Sequence, residues 1–512
     1  MEIMKESNMK KFLLVIIMSL LISSLSYADV KLPAVFSSNM VLQREIQVPV
    51  WGWADPGEEV TVNFSGQSNT VKADADGKWM VKLSAMPAGG PFEMTVRGNN
   101  TVTFTNVMVG EVWICSGQSN MEFHLSGSTG SREEIKKATN TDIRLFTIPK
   151  TISGKPKDDV DASWLVCHPN FADNFSAVAY YFGKTINSQI DVPIGLIQSA
   201  YGGSKIEPWM TIEAFKQVPS LSSAVEHVEG SDQVHSGHVE ETLKELEIYL
   251  PMAKKAFEAG EQVPAPVKWP VHPLAIDKQQ PTSLYNGMIN PIIPFAIRGV
   301  LWYQGEANCG QNDGMLYYDK FKAMLASWRS RWGQGDFPFY FVQLAPCVYG
   351  DSEELPLLWE AQTACLQIPN TGMAVTVDIG NPYDIHPKNK QDVGKRLALW
   401  ALAKDYGMED LVYSGPSYKS MEINGKKAYI SFEHVGKGLR SRDGEALSWF
   451  SIAGEDKEFY PAKAKIKCEK VVVSSKQVDN PVAVRFGWDQ IAEPNLSNKE
   501  SLPALPFRTD RW

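Results

Sequence analysis

Gly110-Glu111-Val112-Trp113-Ile114-Cys115-Ser116-Gly117-Gln118-Ser119-Asn120-Met121-Glu122-Phe123 is the stretch on which the fold turns. Val112 to Cys115 is an apolar run with the length and side chains of a buried strand. Ser116 to Asn120 follows with small polar residues that suit a sharp turn. Open α/β sheets carry their reactive groups just past the carboxyl ends of core strands. A serine hydroxyl in this turn therefore stands where such a fold presents a nucleophile. A Ser-Gly-x-Ser-Asn turn also suits an ordinary loop, so the surrounding chain has to decide between the two.

Outward from this stretch, residues 107 to 405 alternate strand-like and helix-like segments. Phe175 to Ile190 predicts a helix and Pro193 to Gln198 the strand after it. Gly299 to Tyr303 predicts a strand, Tyr317 to Trp332 a helix, and Phe339 to Leu344 a strand. Ala374 to Asp378 predicts another strand and Lys390 to Tyr406 a helix. Such alternation implies a mostly parallel sheet covered on both faces. Residues 213 to 285 fit it poorly. A charged helical pattern from Val239 to Ala259, with Pro251 expected to interrupt it, leads into the Pro-rich Val263 to Pro273, so this stretch reads as an insertion. Residues 29–106 alternate apolar and polar positions between turns such as Asp55-Pro56-Gly57, which predicts a small β-sandwich. Residues 410–512 return to short strands and predict a second β-rich unit. The expected organisation is thus an α/β/α three-layer domain over 107–409, flanked by β units at both ends.

The chain has 512 residues, enough for two or three domains, with 44% hydrophobic and 21% charged residues, which is ordinary for a folded protein. A net charge of -9 argues against nucleic acid or an anionic membrane as partner. Lys10-Lys11, the apolar Phe12 to Ile22 and the small residues up to Ala28 form an export signal over 1–28, too short to span a bilayer comfortably. The mature chain is expected to be periplasmic or extracellular. Its six cysteines are widely spaced, with no compact disulfide framework and no C-x-x-C pair.

Serine needs a base to take its proton and donors to hold the oxyanion. Three further segments supply such groups at strand ends. In Tyr201-Gly202-Gly203-Ser204 the two glycines allow a backbone N–H to approach a substrate oxygen closely. In Gln304-Gly305-Glu306-Ala307-Asn308, Gln304 or Asn308 offers an amide donor, while Glu306 is suited to holding the loop. Asp384-Ile385-His386-Pro387 places His386 before a helix, with Asp384 two residues earlier to orient its ring. His124 suits a pocket wall. His235 and His238 form H-x-x-H without a third ligand, a weak metal signal.

Gly117-Gln118-Ser119-Asn120-Met121, Gly202-Gly203-Ser204, Gln304-Gly305-Glu306 and Asp384-Ile385-His386-Pro387 together resemble the four blocks of the sialate O-acetylesterase family, carbohydrate esterases of the SGNH type. The resemblance runs from about residue 30 to the C-terminus and includes Phe450 to Gly454 and Pro503 to Thr509. It implies a flavodoxin-like α/β/α sheet, no metal or other cofactor, and removal of O-linked acetyl groups from a sugar or glycan substrate. It further implies Ser119 as nucleophile, His386 as base, and an oxyanion hole from the N–H groups of Ser119 and Gly203 with the Gln304 amide. The chain departs from the wider pattern in two places. The third block usually offers Asn where Gln304-Gly305-Glu306 stands. The last usually sets its acid three residues before the histidine, where this chain has Tyr383. The partner of the His386 ring is then Asp384, a backbone carbonyl, or Asp378.

Two other functions compete. One is an acetylesterase of xylan or xyloglucan, since only the loops choose the sugar. The other is a non-catalytic glycan-binding protein with Trp51 or Trp449 as platforms. For a sialate carboxylate the sequence offers only Lys205 and Arg440.

Overall fold

A computed structural model describes residues 29–512; the expected export signal, 1–28, lies outside them. The alternation closes into three layers. Six parallel strands run across the sheet in the order Thr371–Ala374, Phe339–Val342, Gly299–Tyr303, Thr101–Gly117, Ile194–Ala200, Ile143–Thr147, with the short Leu165–Val166 antiparallel at the edge. Every residue of Ile194–Ala200 and Gly299–Tyr303 is buried, as a sheet covered on both faces requires. Successive side chains alternate between the two faces. Tyr340 stacks on Trp113 at 5.8 Å, on the side of helices Ala177–Ile190 and Lys390–Lys404. Its neighbours Phe339 and Phe341 meet Trp328 at 6.2 Å and Phe321 at 5.1 Å, on helix Leu316–Trp332.

Strand Thr101–Gly117 lies between Ile194–Ala200 and Gly299–Tyr303. The chain leaves it toward one side and later crosses to the other. Its carboxyl end is therefore the switch point, where a crevice opens. Ser119 sits there.

The strand is 17 residues long and serves two units. Its first half pairs with Gly89–Arg97 of the N-terminal unit, and its second half with the central sheet. The N-terminal unit adds Glu59–Phe64 and Gln67–Lys72 to that sheet, and packs a two-stranded ribbon, Val48–Trp53 with Lys78–Leu83, beside it. One continuous hydrophobic core runs through both units. The C-terminal unit has its own core, around Ile430, Ile452, Val471, Val484 and Phe486.

Two expectations are corrected. Helix Ser222–Glu258 passes through Pro251 without a break. The ring costs the helix the bond to the Glu247 carbonyl, but both residues are exposed, so water can take that carbonyl. The strand expected from Ala374 to Asp378 is instead Thr371–Ala374. Beyond Ala374 the chain leaves the sheet, held by Thr376 Oγ1 donating to the Gln343 carbonyl and by Asp378 paired to Arg396.

Candidate active site

Gly117 ends the central strand at φ 133°, and a Cβ there would lie 2.2 Å from the Tyr303 carbonyl oxygen. Only glycine fits a strand end this close to its neighbour. Gln118 N–H then donates to that same oxygen at 2.9 Å, and Ser119 opens the short helical turn Ser119–Glu122. The first N–H groups of such a turn have no intrahelical acceptor. His386 arrives from the far side of the crevice and brings Nε2 to 2.8 Å from Ser119 Oγ. The imidazole titrates below its ordinary value. Burial is the largest cause and the charge of Lys390 the next, against opposing effects of Asp384 and Glu122. It is thus the neutral, proton-accepting form that faces the hydroxyl.

The Gly202-Gly203 turn lies against the serine. A Cβ on Gly202 would sit 3.4 Å from Ser119 Cβ. Gly202 N–H is taken by Glu122 Oε2 at 2.8 Å, whereas Gly203, at φ 72°, keeps its N–H without an acceptor among the described residues. The insertion buttresses this turn: Lys278 Nζ donates to the Gly202 carbonyl at 2.5 Å and Gln279 Nε2 to the Gly203 carbonyl at 2.7 Å. Lys150 and Lys278 stand over the Tyr201 ring at 5.2 Å and 5.3 Å, and Lys150 also pairs with Glu122 at 2.6 Å.

Other expected residues lie elsewhere or do something else. Asp384 Oδ1 accepts the backbone N–H of His386 at 3.0 Å, not the ring. A two-residue spacing lets the carboxylate fold back on its own chain as an Asx turn. Asp378 is held bidentate by Arg396, at 2.6 Å and 2.7 Å, and does not reach His386. Tyr383 is exposed, and no acceptor for His386 Nδ1 occurs among the described residues, backbone carbonyls included. Gln304 is fully buried. Its Nε2 already faces Asn308 Oδ1 at 2.7 Å and, at 3.2 Å, both Ser204 O and Gln118 Oε1, so its amide ties strand ends together and has no hydrogen left for an oxyanion. Asn308 is likewise spent, on Glu207 and Asp313. Lys205 Nζ donates to Gln311, and Arg440 donates to Ser501 within the C-terminal unit. His124 is exposed and bridges to Ser176. The His235 ring lies 5.0 Å from that of His272, beside the long helix. All six cysteines are free thiols.

Beneath the serine lies a buried polar trio; sequence reasoning expected Glu306 to hold its loop and missed the parts played by Asn120 and Lys390. Asn120 Nδ2 donates to Glu306 Oε1 at 2.5 Å and to the Ile385 carbonyl at 2.9 Å, and its Oδ1 accepts from Lys390 Nζ. The residue after the nucleophile is thereby bonded to the residue before the base. Lys390 is fully buried, with its Nζ 4.9 Å from the Phe123 ring centre and 5.2 Å from that of Tyr303. Burial lowers its ammonium to about 7, against the opposing charges of Glu306 and Asp384. Burial likewise raises the Glu306 carboxyl, whose Oε2 has no protein partner. The only sequence signal was that Lys390 stands four residues after His386 on the same helical approach.

The match to known proteins spans this whole arrangement. A mouse sialate O-acetylesterase is 30% identical over 519 residues, covering 91% of this chain and 92% of its own. The chain belongs to the sialate O-acetylesterase family. The human sialate O-acetylesterase is 28% identical, over 92% of this chain and 91% of its own. Residues 267–403, which hold Gln304, His386 and Lys390, match the family described as carbohydrate esterase, sialic acid-specific acetylesterase. A crystal structure of a carbohydrate acetylesterase from Xanthomonas citri is 37% identical, covers 94% of this chain and 100% of its own, and superposes with a TM-score of 0.81. Members of the sialate O-acetylesterase family are ester hydrolases, and this chain is one of them.

Proposed function

We propose that the chain removes O-acetyl groups from sialic acids through an acetyl-enzyme on Ser119. His386 Nε2 takes the Ser119 hydroxyl proton while Oγ attacks the acetyl carbonyl. The oxyanion accepts the N–H groups of Ser119 and Gly203, donors that typically contribute about 3 kcal/mol each to lowering the barrier. The tetrahedral adduct collapses as the sugar oxygen leaves with the proton from His386. Water then attacks the acetyl-enzyme, His386 again takes a proton, and acetate and free Ser119 result.

The observation that carries this reading is the 2.8 Å contact of His386 Nε2 with Ser119 Oγ, made beside the unpaired N–H of Gly203. Lys278, at the Gly202-Gly203 turn and bonded there to a backbone carbonyl, supplies positive charge of the kind a sialate carboxylate needs. The chain acts outside the cytoplasm, a reading supported by the basic, apolar and small-residue pattern of 1–28. Its mature mass should correspond to a chain starting at Asp29.

Acetate release from O-acetylated sialic acid and from acetylated xylan, with p-nitrophenyl acetate as a common reporter, tests both parts. Ser119→Ala should lower turnover about a thousandfold or more, while Ser116→Ala, fully buried at the end of the strand, serves as control. Near wild-type turnover in Ser119→Ala would refute the serine mechanism. Acetate from xylan alone would refute the sialate substrate and leave the mechanism standing.

A further inference from the structure

A cleft of about 400 Å³ lies between the N-terminal ribbon and the central domain, and none of its lining residues belongs to the serine crevice. One wall is aromatic. In the ribbon, Trp51 pairs opposite Met80 and Trp53 opposite Lys78, so all four side chains share one face. Along Val48–Trp53 the positions Val48, Val50 and Gly52 are buried, and the two tryptophans are half-buried on the other face, about 7 Å apart by strand geometry. Trp51 is steadied by an edge-on contact with Phe36 at 4.8 Å.

The opposite wall holds Tyr285, Asn290 and Arg331. Tyr285 is 4% exposed and its hydroxyl has no protein partner. Burial pushes that phenol up to about 12, so it remains a donor. Trp79, opposite Gly52, lies on the other face of the ribbon with the buried Val81 and Leu83. A buried donor with no protein partner on the wall opposite the tryptophans suits an acceptor-rich ligand, because leaving such a group unpaired is costly. Acceptors line the cleft too: Asn290 commits its Nδ2 to the Lys157 carbonyl at 2.9 Å and keeps its Oδ1, and Asp74 and Asp158 stand at the rim. Arg331 is already paired with Glu213 at 2.7 Å. With Arg331 so paired, the remaining charges of the lining are Lys78 against Asp74 and Asp158, and no surplus positive charge awaits an anion.

We propose that this cleft is a second carbohydrate site, which holds a neutral stretch of the glycan that bears the acetyl ester. The apolar faces of pyranose rings would lie on Trp51 and Trp53. Ring and hydroxyl oxygens would accept from Tyr285, and hydroxyls would donate to Asn290 and the aspartates. The proposal rests on the substrate being a glycan. Its value to the enzyme is local concentration, since a chain held at one site presents its acetyl groups to the other without a new encounter.

Calorimetric titration of the full chain with xylohexaose, cellohexaose, an oligo-N-acetyllactosamine and sialyllactose tests it. Saturable binding of at least one neutral probe is expected. Trp53→Ala should weaken it about tenfold or more, and Tyr285→Phe, which removes one oxygen and little volume, about threefold. Both variants should keep wild-type turnover of p-nitrophenyl acetate, which shows that they fold. Absence of binding to every neutral probe, binding of sialyllactose alone, or binding unchanged in both variants would overturn the proposal. The probes carry no acetyl ester, so none of these outcomes depends on whether Ser119 is the nucleophile.

Discussion

Lys390→Met isolates the electrostatic part of the site. Met replaces an unbranched stem of similar length between Phe123 and Tyr303, so the packing change is small. What disappears is a positive charge and one donor to Asn120 Oδ1. Loss of that donor costs about 1–3 kcal/mol of stability. The charge matters to catalysis because of when it is present. Lys390 gains its proton near 7, above the range in which the depressed imidazole of His386 titrates. As His386 begins to protonate it therefore faces a cation, which resists the second proton. Glu122 and Asp384 pull the other way. With the cation gone, the His386 value rises. The acid limb of kcat/KM for p-nitrophenyl acetate should move to higher pH, read across about pH 4.5 to 8. Stability should change in a linked way. An unfolded lysine holds its proton up to 10.5, and the folded one releases it near 7, so the Lys390 contribution rises with pH between those values. Urea unfolding of both proteins should show wild type gaining on the variant from pH 7 toward 10.5. An acid limb that stays in place or moves to lower pH in Lys390→Met would refute the electrostatic reasoning.

Asp384→Asn keeps an oxygen for the His386 backbone N–H and loses only the charge. Turnover should fall by less than about tenfold, against about 10⁴-fold where an aspartate holds the ring nitrogen of a triad. Its acid limb should move to lower pH, because Asp384 raises the His386 value. A loss near the triad figure would return Asp384 to the ring. Gly117→Ala meets two obstacles at once, a left-handed φ of 133° and a Cβ 2.2 Å from the Tyr303 oxygen. It should cost about 3 kcal/mol or more and lower Tm visibly in a thermal melt; an unchanged Tm would contradict the strand-end geometry.

The meeting of Ser119, Gly203 and His386 was legible because parallel strands all end at one edge, and the sequence shows each residue just past an apolar run. What it could not show is pairing between distant polar groups. Gln304 looks like a free loop amide until Gln118, Ser204 and Asn308 are seen around it. Lys390 looks like any lysine at a helix start. Only the fold reveals that it lies under Asn120, fully buried. Asp384 was misplaced because residue type alone does not separate a carboxylate that serves a ring from one that closes its own turn. Pro251 misled for the opposite reason: the usual penalty holds for a buried carbonyl, and here the helix is wet.

The strand from Thr101 to Gly117 also limits how this enzyme could be taken apart. The serine is carried by the same peptide rod that pairs with Gly89–Arg97 and Val41–Gln43 of the N-terminal unit, and one core wraps both ends. Shortening the chain to residue 107 would saw that rod in half and strip part of the core, so the front unit is not a cassette to be exchanged or shed. The C-terminal unit has a core of its own, yet Leu505 enters the central core and Arg485 and Arg508 pair with Glu353 and Glu360, so the rear unit is fastened to the esterase by its last strands.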